Sequence, residues 1–293
     1  MQGITIVGPG RMGGALAYAL SSAGERVDRL IFRDRKPRTL ISRLDVRPEL
    51  IQIQQIKVID SKVLIITTQD EELPAAVRFL ANKVRPGTIV FHTSGSISSE
   101  ILKPFVERGC STASMHPLAS ITNWKDGVER FPGAYFCLEG DKKAVAAARR
   151  IVKKIGGKPF SIRSDEKALY HAAAVTAAGH VTALFDIAVS LMVKAGLDRT
   201  SARRVLQPLL LGVAQNLASK DTPAALTGTF SRGDEETLSR HIEALKKHAS
   251  KTESVVYLDL ALRSIDIAIQ NGLDPKKAAH MRRSIKIAKD ALR

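Results

Sequence analysis

Three glycines near the N-terminus, Gly8, Gly10 and Gly13, have the G-x-G-x-x-G spacing of a turn that binds the pyrophosphate of a dinucleotide. An apolar run precedes them and a helical pattern follows, which is the context that such a turn requires. The first glycine permits the tight turn, the second lets the backbone approach the phosphates, and the third lets the helix pack on the strand. We therefore predict that a dinucleotide contacts Gly8, Gly10, Arg11, Met12 and Gly13.

Charged residues follow the second predicted strand, Val27–Phe32. At this strand end an acidic side chain suits the ribose 2′-hydroxyl of NAD, whereas arginines suit the 2′-phosphate of NADP. One aspartate, Asp34, lies here among Arg33, Arg35 and Lys36, so the local charge is positive. We predict that Arg33 and Arg35 bind NADP and that NADPH is preferred over NADH. The alternative is that both arginines are exposed charges at a strand end.

Polar residues follow three further predicted strands. Ligands of a doubly wound sheet bind beyond the carboxyl ends of its strands, so we expect these residues near the coenzyme. They are Thr67, Thr68 and Gln69 after the third, Thr93 and Ser94 after the fourth, and His116 after a strand over Cys110–Met115. For Ser94 and its neighbours a plain helix-capping turn is equally supported, and for His116 the alternative is a loop-fixing role.

Only helical patterns follow residue 164, and the first of them is a long, alanine-rich pattern that runs to Lys194. The chain therefore predicts an α/β Rossmann-like doubly wound sheet over 1–163, followed by an all-α helical domain over 164–293. His171, on the first long helix, could exchange a proton near neutral pH, or it could be buried in a helix contact. The irregular stretch 225–233 supplies Thr227, Gly228 and Arg232 as candidate substrate contacts. Arg232 could bind a carboxylate or pair with acidic neighbours on the surface.

The composition argues against several classes of function, although the charge alone keeps a nucleic-acid-associated protein as a remaining alternative. The net charge is +16, but the basic residues are scattered along helices without the interleaved aromatic residues that stack nucleic-acid bases. No metal-ligand spacing occurs, and the two cysteines are expected to be small buried residues. No apolar run reaches the roughly 20 residues of a membrane span. We expect a cytoplasmic protein without metal, nucleic acid or membrane partners.

Five motifs in order resemble those of bacterial two-domain NADP oxidoreductases, which join a Rossmann-like half to a helical half of uncharacterised function. The motifs are the turn 8–13, His92-Thr93-Ser94-Gly95, His116-Pro117-Leu118, Tyr170-His171-Ala172-Ala173-Ala174, and Leu226-Thr227-Gly228 with Arg232-Gly233-Asp234. The layout is more distantly similar to pyrroline-5-carboxylate reductase, prephenate dehydrogenase and the 6-phosphogluconate dehydrogenase superfamily. The resemblance implies hydride transfer between NADP and a small, anionic metabolite, such as a keto acid, hydroxy acid or cyclic imine.

The resemblance also implies roles for single residues and a homodimer formed through the helical domain. Thr93, Ser94 and His116 would lie at the nicotinamide. His171 would act as acid or base, with Ser94 or His116 polarising the same substrate oxygen or nitrogen, and residues 227–232 would close over the substrate. Relatives typically carry an asparagine eight residues after that histidine, where this chain has Gly179 next to Ala178. His180 lies about 100° round the helix and is a poor replacement. The alternative function is therefore a non-catalytic NADP(H)-binding or sensing protein.

Overall fold

The computed structural model describes residues 3–292. It divides into two compact units, Met1–Ala178 and Gly179–Arg293. The first unit contains an eight-stranded sheet with helices, and the second is helical throughout. This confirms the predicted Rossmann-like sheet followed by a helical region. The segment 164–178 belongs to the first unit, whereas we assigned it to the second domain, and the predicted domain boundary at 163 stays a prediction.

The sheet has the strand order β3-β2-β1-β4-β5-β6-β7-β8. All neighbouring strands are parallel except β6 and β7, which are antiparallel. The order reverses between β1 and β4, and this switch point is where doubly wound sheets bind ligands. The strands are β1 (Ile4–Val7), β2 (Val27–Phe32), β3 (Glu49–Gln52), β4 (Val63–Ile66), β5 (Ile89–His92), β6 (Ser111–Pro117), β7 (Tyr135–Gly140) and β8 (Lys158–Ser161).

The central strands β1, β4 and β5 are buried along their whole length, because helices cover both faces of the sheet. Leu16 and Leu20 of the first helix pack with Ile65 on one face, and Val77 and Leu80 of the third helix pack on the other. The α-helices of this unit are α1 (Arg11–Ser22), α2 (Arg38–Ile41), α3 (Leu73–Ala81), α4 (Lys103–Val106), α5 (Trp124–Arg130), α6 (Lys142–Lys154) and α7 (Lys167–Ala177).

The second unit has its own apolar core, formed mainly by helices that include Leu258, Ile265, Met281 and Ile285. Asp198, Ser250 and Asp274 cap the helices that follow them by accepting backbone N–H bonds. The helices are α8 (Gly179–Lys194), α9 (Arg199–Ser219), α10 (Thr222–Ala225), α11 (Thr229–Arg232), α12 (Glu235–His248), α13 (Lys251–Gln270) and α14 (Pro275–Asp290).

Two local predictions are wrong. His116 lies within β6 rather than beyond it, because its backbone pairs with Cys137 of β7. The helix predicted to run unbroken to Lys194 ends at Ala177, since Ala178 has φ −124° and ψ −71° and α8 begins at Gly179.

One helical stretch bears on the expectation that no run is long enough for a membrane span. The stretch Ser164–Lys194, which includes α7 and α8, has 31 residues, and the mean hydropathy of its most apolar 18-residue window is 1.5, which is enough by length and composition to cross a bilayer. Only 6% of its most apolar window is buried. Such a helix fits a protein contact as well as a membrane, so the cytoplasmic location stays a prediction.

Candidate functional site

The glycine turn occupies the switch point between β1 and β4. Gly8 has φ +81°, which favours glycine, and its N–H donates to the carbonyl of Ile31 at 2.9 Å. A Cβ atom at Gly13 would lie 2.3 Å from Thr67 Oγ1 and 2.4 Å from the carbonyl oxygen of Gly8. At Gly10 it would meet only the Gly8 oxygen, at 3.9 Å. The first and third glycines thus serve the fold, whereas the second leaves space beside the turn.

A crevice of about 1000 Å³ extends from this turn. Its volume is at the upper end of the usual range for small-molecule and cofactor sites, about 300–1,000 Å³. The predicted coenzyme residues that line it are Gly8, Gly10, Arg33, Arg35, Thr67, Thr68 and Gln69. Arg11, Met12, Gly13 and Thr93 are not among the lining residues; Met12 packs against the core and Thr93 is buried.

Two threonines at the end of β4 differ in their partners. Thr67 Oγ1 lies 2.8 Å from the carbonyl oxygen of Val7 and 2.7 Å from that of Gly8, so its hydroxyl fastens β4 to the turn. Thr68 Oγ1 is buried without a hydrogen-bond partner. It is the one buried side-chain nitrogen or oxygen in residues 3–292 that lacks such a partner. Because buried polar atoms are nearly always paired, this orphan hydroxyl in the crevice fits a bound ligand.

The predicted phosphate-binding arginines differ as well. Arg33 Nε donates to Asp34 Oδ2 at 2.8 Å, and one of its terminal nitrogens pairs with Glu72. Arg35 is exposed and makes no ion pair with the residues that the structure describes. Both line the crevice, but only Arg35 presents a charge that no carboxylate holds.

Two histidines meet over a glycine at the neighbouring strand ends. The rings of His116 and His171 have centroids 5.8 Å apart and planes at 81°. A Cβ atom at Gly95 would lie 2.4 Å from His171 Cδ2 and 2.8 Å from His116 Nε2. The close approach therefore requires glycine at this position. On its other side, His116 Nδ1 lies 2.7 Å from the hydroxyl of Tyr170.

Burial keeps two histidines of this region uncharged. The pKa of His116 falls from 6.5 to about 3, first because of burial and then because of the positive charge of Lys167. The same causes lower the pKa of His92 to about 4. His92 Nδ1 accepts the N–H of Ser94 at 3.1 Å, so Nε2 carries the ring proton and donates to the carbonyl of Ser98 at 3.3 Å. His92 therefore fixes the loop 93–98.

Ser94 closes a hydroxyl turn within this loop. Its Oγ accepts the backbone N–H groups of Ser96 at 3.3 Å and Ile97 at 3.0 Å, whereas Ser98, one of the two expected helix caps, makes no side-chain capping bond. Ser96 Oγ in turn donates to Asp70 Oδ2 at 2.6 Å. Ser94 is 7% exposed, and its catalytic role stays a prediction.

Sequence reasoning missed Lys167, a lysine that is only 1% exposed. Its Nζ donates to Ser114 Oγ at 2.8 Å and lies 5.3 Å from the ring centroid of Tyr170. Burial lowers its pKa, because an ammonium group loses its hydration there. One signal was available: Lys167 lies four residues before His171, so the two share a helix face.

Glu139 is a second missed residue, a carboxylate that is 3% exposed. It accepts the N–H of Ser99 at 2.9 Å and the hydroxyls of Ser99 and Ser164, each at 2.7 Å. Ser164 precedes α7, and Ser99 follows the loop that contains Gly95. Glu139 thus connects the helix that carries His171 to the loop beneath it. A lone glutamate at the end of an apolar run gives no such signal.

The remaining predicted residues lie in the second unit. Thr227 and Gly228 precede α11, and Arg232 ends it, so part of the predicted irregular stretch is a short helix. Arg232 is exposed. In the part of the chain that the structure describes it makes no ion pair, since Asp234 instead caps α12 through the N–H of Thr237. The substrate-binding role of these three residues stays a prediction.

Two family models match the chain. A Rossmann-like domain matches residues 2–117, and a domain of unknown function, DUF2520, matches residues 134–264. The DUF2520 match includes β7, β8 and α7 of the first unit, so it spans both Glu139 and His171.

Solved structures share the fold. A protein from Thermotoga maritima is 24% identical with a TM-score of 0.72, over 92% of this chain and 99% of that one. A candidate NADP oxidoreductase from Bacteroides fragilis is 20% identical with a TM-score of 0.70, over 90% and 98%. An NADPH-bound reductive aminase from Aspergillus terreus is 17% identical with a TM-score of 0.57, over 99% and 94%. The comparison with curated proteins gave no match.

Proposed function

We propose that this Rossmann–DUF2520 chain is an NADP-dependent oxidoreductase that transfers hydride between the nicotinamide and a small, anionic metabolite. One observation carries the proposal. The glycine turn, the orphan Thr68 hydroxyl and the His116–His171 pair all lie at the carboxyl ends of strands of one sheet or beside them. The oxidoreductases of the same fold from B. fragilis and A. terreus support the choice of NADP.

The bound coenzyme supplies the hydride, so the chain needs to orient the substrate and move one proton. Burial raises the pKa of Tyr170, which keeps its phenol protonated and able to donate to His116 Nδ1. His116 Nε2 then carries the ring proton beside Gly95 and polarises a substrate oxygen or nitrogen. His171 exchanges the proton, while burial and, after it, the charge of Lys167 lower the pKa of His116 and keep that ring neutral.

Titration of the purified protein with NADPH and NADH tests the coenzyme. Trp124, the single tryptophan, lines the crevice, so energy transfer from it to the reduced nicotinamide reports binding. We expect tighter binding of NADPH. Equal affinity or a preference for NADH would contradict the assignment of Arg33 and Arg35.

Oxidation of NADPH against a panel of keto acids and cyclic imines tests the reaction. We expect His171→Ala to abolish turnover while NADPH still binds, and His248→Ala, an exposed histidine of the second unit, to have no effect. Turnover that survives His171→Ala would remove the acid–base role. Binding without turnover on any substrate would favour the alternative, a non-catalytic NADP(H) sensor, for which Ala178-Gly179 in place of an asparagine is the sequence feature.

We further propose a homodimer formed through the helical unit. Large apolar side chains are exposed along α8 and α9, and such surfaces mark contacts with another chain. They include Leu184, Val205, Leu209, Leu211 and Leu217, with exposures of 42–66%. Light scattering should give twice the chain mass, and Leu209→Glu with Leu211→Glu should give monomers. A wild-type monomer would contradict the dimer.

A salt-dependent shift of duplex DNA would contradict the expected absence of nucleic-acid partners.

A further inference from the structure

Arg33 is held between two carboxylates at the place where a coenzyme's adenosine ribose is expected. Its Nε donates to Asp34 Oδ2 at 2.8 Å, and a terminal nitrogen pairs with Glu72 Oε1. All three side chains line the 1000 Å³ crevice that begins at the glycine turn. The negative charges of two carboxylates offset the positive charge of the guanidinium between them, so a third anion is attracted only weakly.

The two carboxylates come from different elements. Asp34 follows β2, the position from which an acidic side chain binds ribose hydroxyls. Glu72 is the N-cap residue of α3, but its carboxylate makes no capping bond and pairs with Arg33 instead. Glu72 therefore brings a negative charge from across the crevice to the one arginine that follows β2 directly.

The ion pairs are exposed, which decides how strongly they act. The side chains of Arg33, Asp34 and Glu72 are 61%, 69% and 38% exposed. Ion pairs at such exposure are weak, so a phosphate dianion can displace Glu72 and is not excluded by it. The effect of Glu72 is a reduction of phosphate affinity, because the phosphate must replace an existing partner and is repelled by the displaced carboxylate.

We propose that Glu72 is a specificity-determining residue that weakens the preference of the crevice for a 2′-phosphorylated coenzyme over its unphosphorylated form. The proposal rests on the proposed function, in which this crevice binds NADP(H). Arg35 lines the same crevice without an ion pair among the described residues, and it retains part of the preference for NADPH. Asp34 remains available for the ribose hydroxyl of NADH.

Glu72→Gln tests this proposal, with Glu71→Gln as the matched control. Glu71 also lines the crevice and is adjacent in sequence, but it forms no ion pair within the region that the structure describes. Each variant removes one negative charge near the coenzyme, so any general effect on anionic ligands is common to both. Dissociation constants for NADPH and NADH are measured through Trp124 for wild type and both variants, and thermal melting checks that each is folded.

We expect Glu72→Gln to raise the NADPH-to-NADH affinity ratio about fivefold, because the terminal nitrogen of Arg33 that pairs with Glu72 becomes free for the 2′-phosphate. Glu71→Gln should change that ratio less than about 1.5-fold. In an Arg33→Gln background the effect of Glu72→Gln should vanish, because the two residues act through their contact. An unchanged ratio in Glu72→Gln, a ratio equal to that of Glu71→Gln, or an effect that persists without Arg33 overturns the proposal.

The coenzyme titrations distinguish a failure of the proposed function from a failure of the role of Glu72. If neither NADPH nor NADH binds to wild type or to either variant, the proposed function fails and this proposal fails with it. If both coenzymes bind and the ratio does not respond to Glu72→Gln, the proposed function stands and the role of Glu72 is refuted.

Discussion

Mild acid should destabilise the first unit, because two of its buried histidines are neutral when folded. The pKa of His116 is about 3 and that of His92 about 4, against 6.5 for an unperturbed histidine. Below pH 6.5 these two histidines bind protons in the unfolded chain but not in the folded chain. The free energy of unfolding therefore falls as the pH falls towards their folded-state pKa values. Above pH 6.5 both states are neutral at these positions, and stability is flat.

The magnitude follows from the two shifts. Between pH 7 and pH 5 each histidine removes about 2 kcal/mol from the free energy of unfolding, and the two together remove about 4 kcal/mol. That is a large part of the 5–15 kcal/mol of a typical domain. Glu253, whose pKa is lowered from 4.5 to about 2, loses its contribution only below pH 4.5. Glu253 also lies in the second unit, so its titration does not contribute to the stability measured for the first unit.

Urea unfolding at pH 7 and pH 5, followed by the fluorescence of Trp124, measures this loss in the first unit. His116→Asn should remove about half of the pH dependence, and adding His92→Asn should remove nearly all of it, since asparagine does not titrate. His280→Asn, at a mostly exposed position in the second unit, is the matched control and should leave it unchanged. A wild type equally stable at both pH values, or a double variant that keeps the dependence, would refute the electrostatic account of this site.

Three further substitutions test the site. Gly10→Ala should leave the melting temperature nearly unchanged, because its Cβ would meet only the Gly8 oxygen at 3.9 Å, while weakening NADPH binding in the fluorescence titration at least tenfold. Lys167→Met should raise the pKa of His116 from about 3 towards 6.5, measured by NMR, because a nearby positive charge is removed. Glu139→Ala should cost about 2–4 kcal/mol in urea unfolding, because it leaves a buried N–H group and two buried or partly buried hydroxyls without their acceptor.

Local sequence patterns were sufficient for the sheet. The strand predicted over Val27–Phe32 has those bounds in the structure, where its apolar residues are buried and the charged pair Asp28 and Arg29 is only partly buried. The break at Ala178 could not be predicted in this way. Alanine favours helix on either side of it, and no proline marks the end, so an alanine-rich pattern indicates one helix where the structure has two.

The candidate site was only partly predictable. The glycine turn depends on the backbone of six consecutive residues, so its spacing is visible in the sequence. The histidine pair brings together Gly95, His116 and His171, which are far apart in the chain, and only the fold shows that a glycine is needed between the rings. Lys167 gave little signal because lysines are seldom fully buried, and a basic composition makes any one lysine look like surface charge.

Lys167 also decides how the two histidines can divide the chemistry. Burial and the adjacent ammonium group oppose a second proton on His116. Near neutral pH this ring can therefore donate a hydrogen bond but does not become protonated to imidazolium. An acid–base role at this site therefore falls to His171, the other ring over Gly95. The sequence motifs suggested the same division by resemblance, and the structure supplies a physical reason for it: the buried charge lies on the helix face that also carries His171, one turn away.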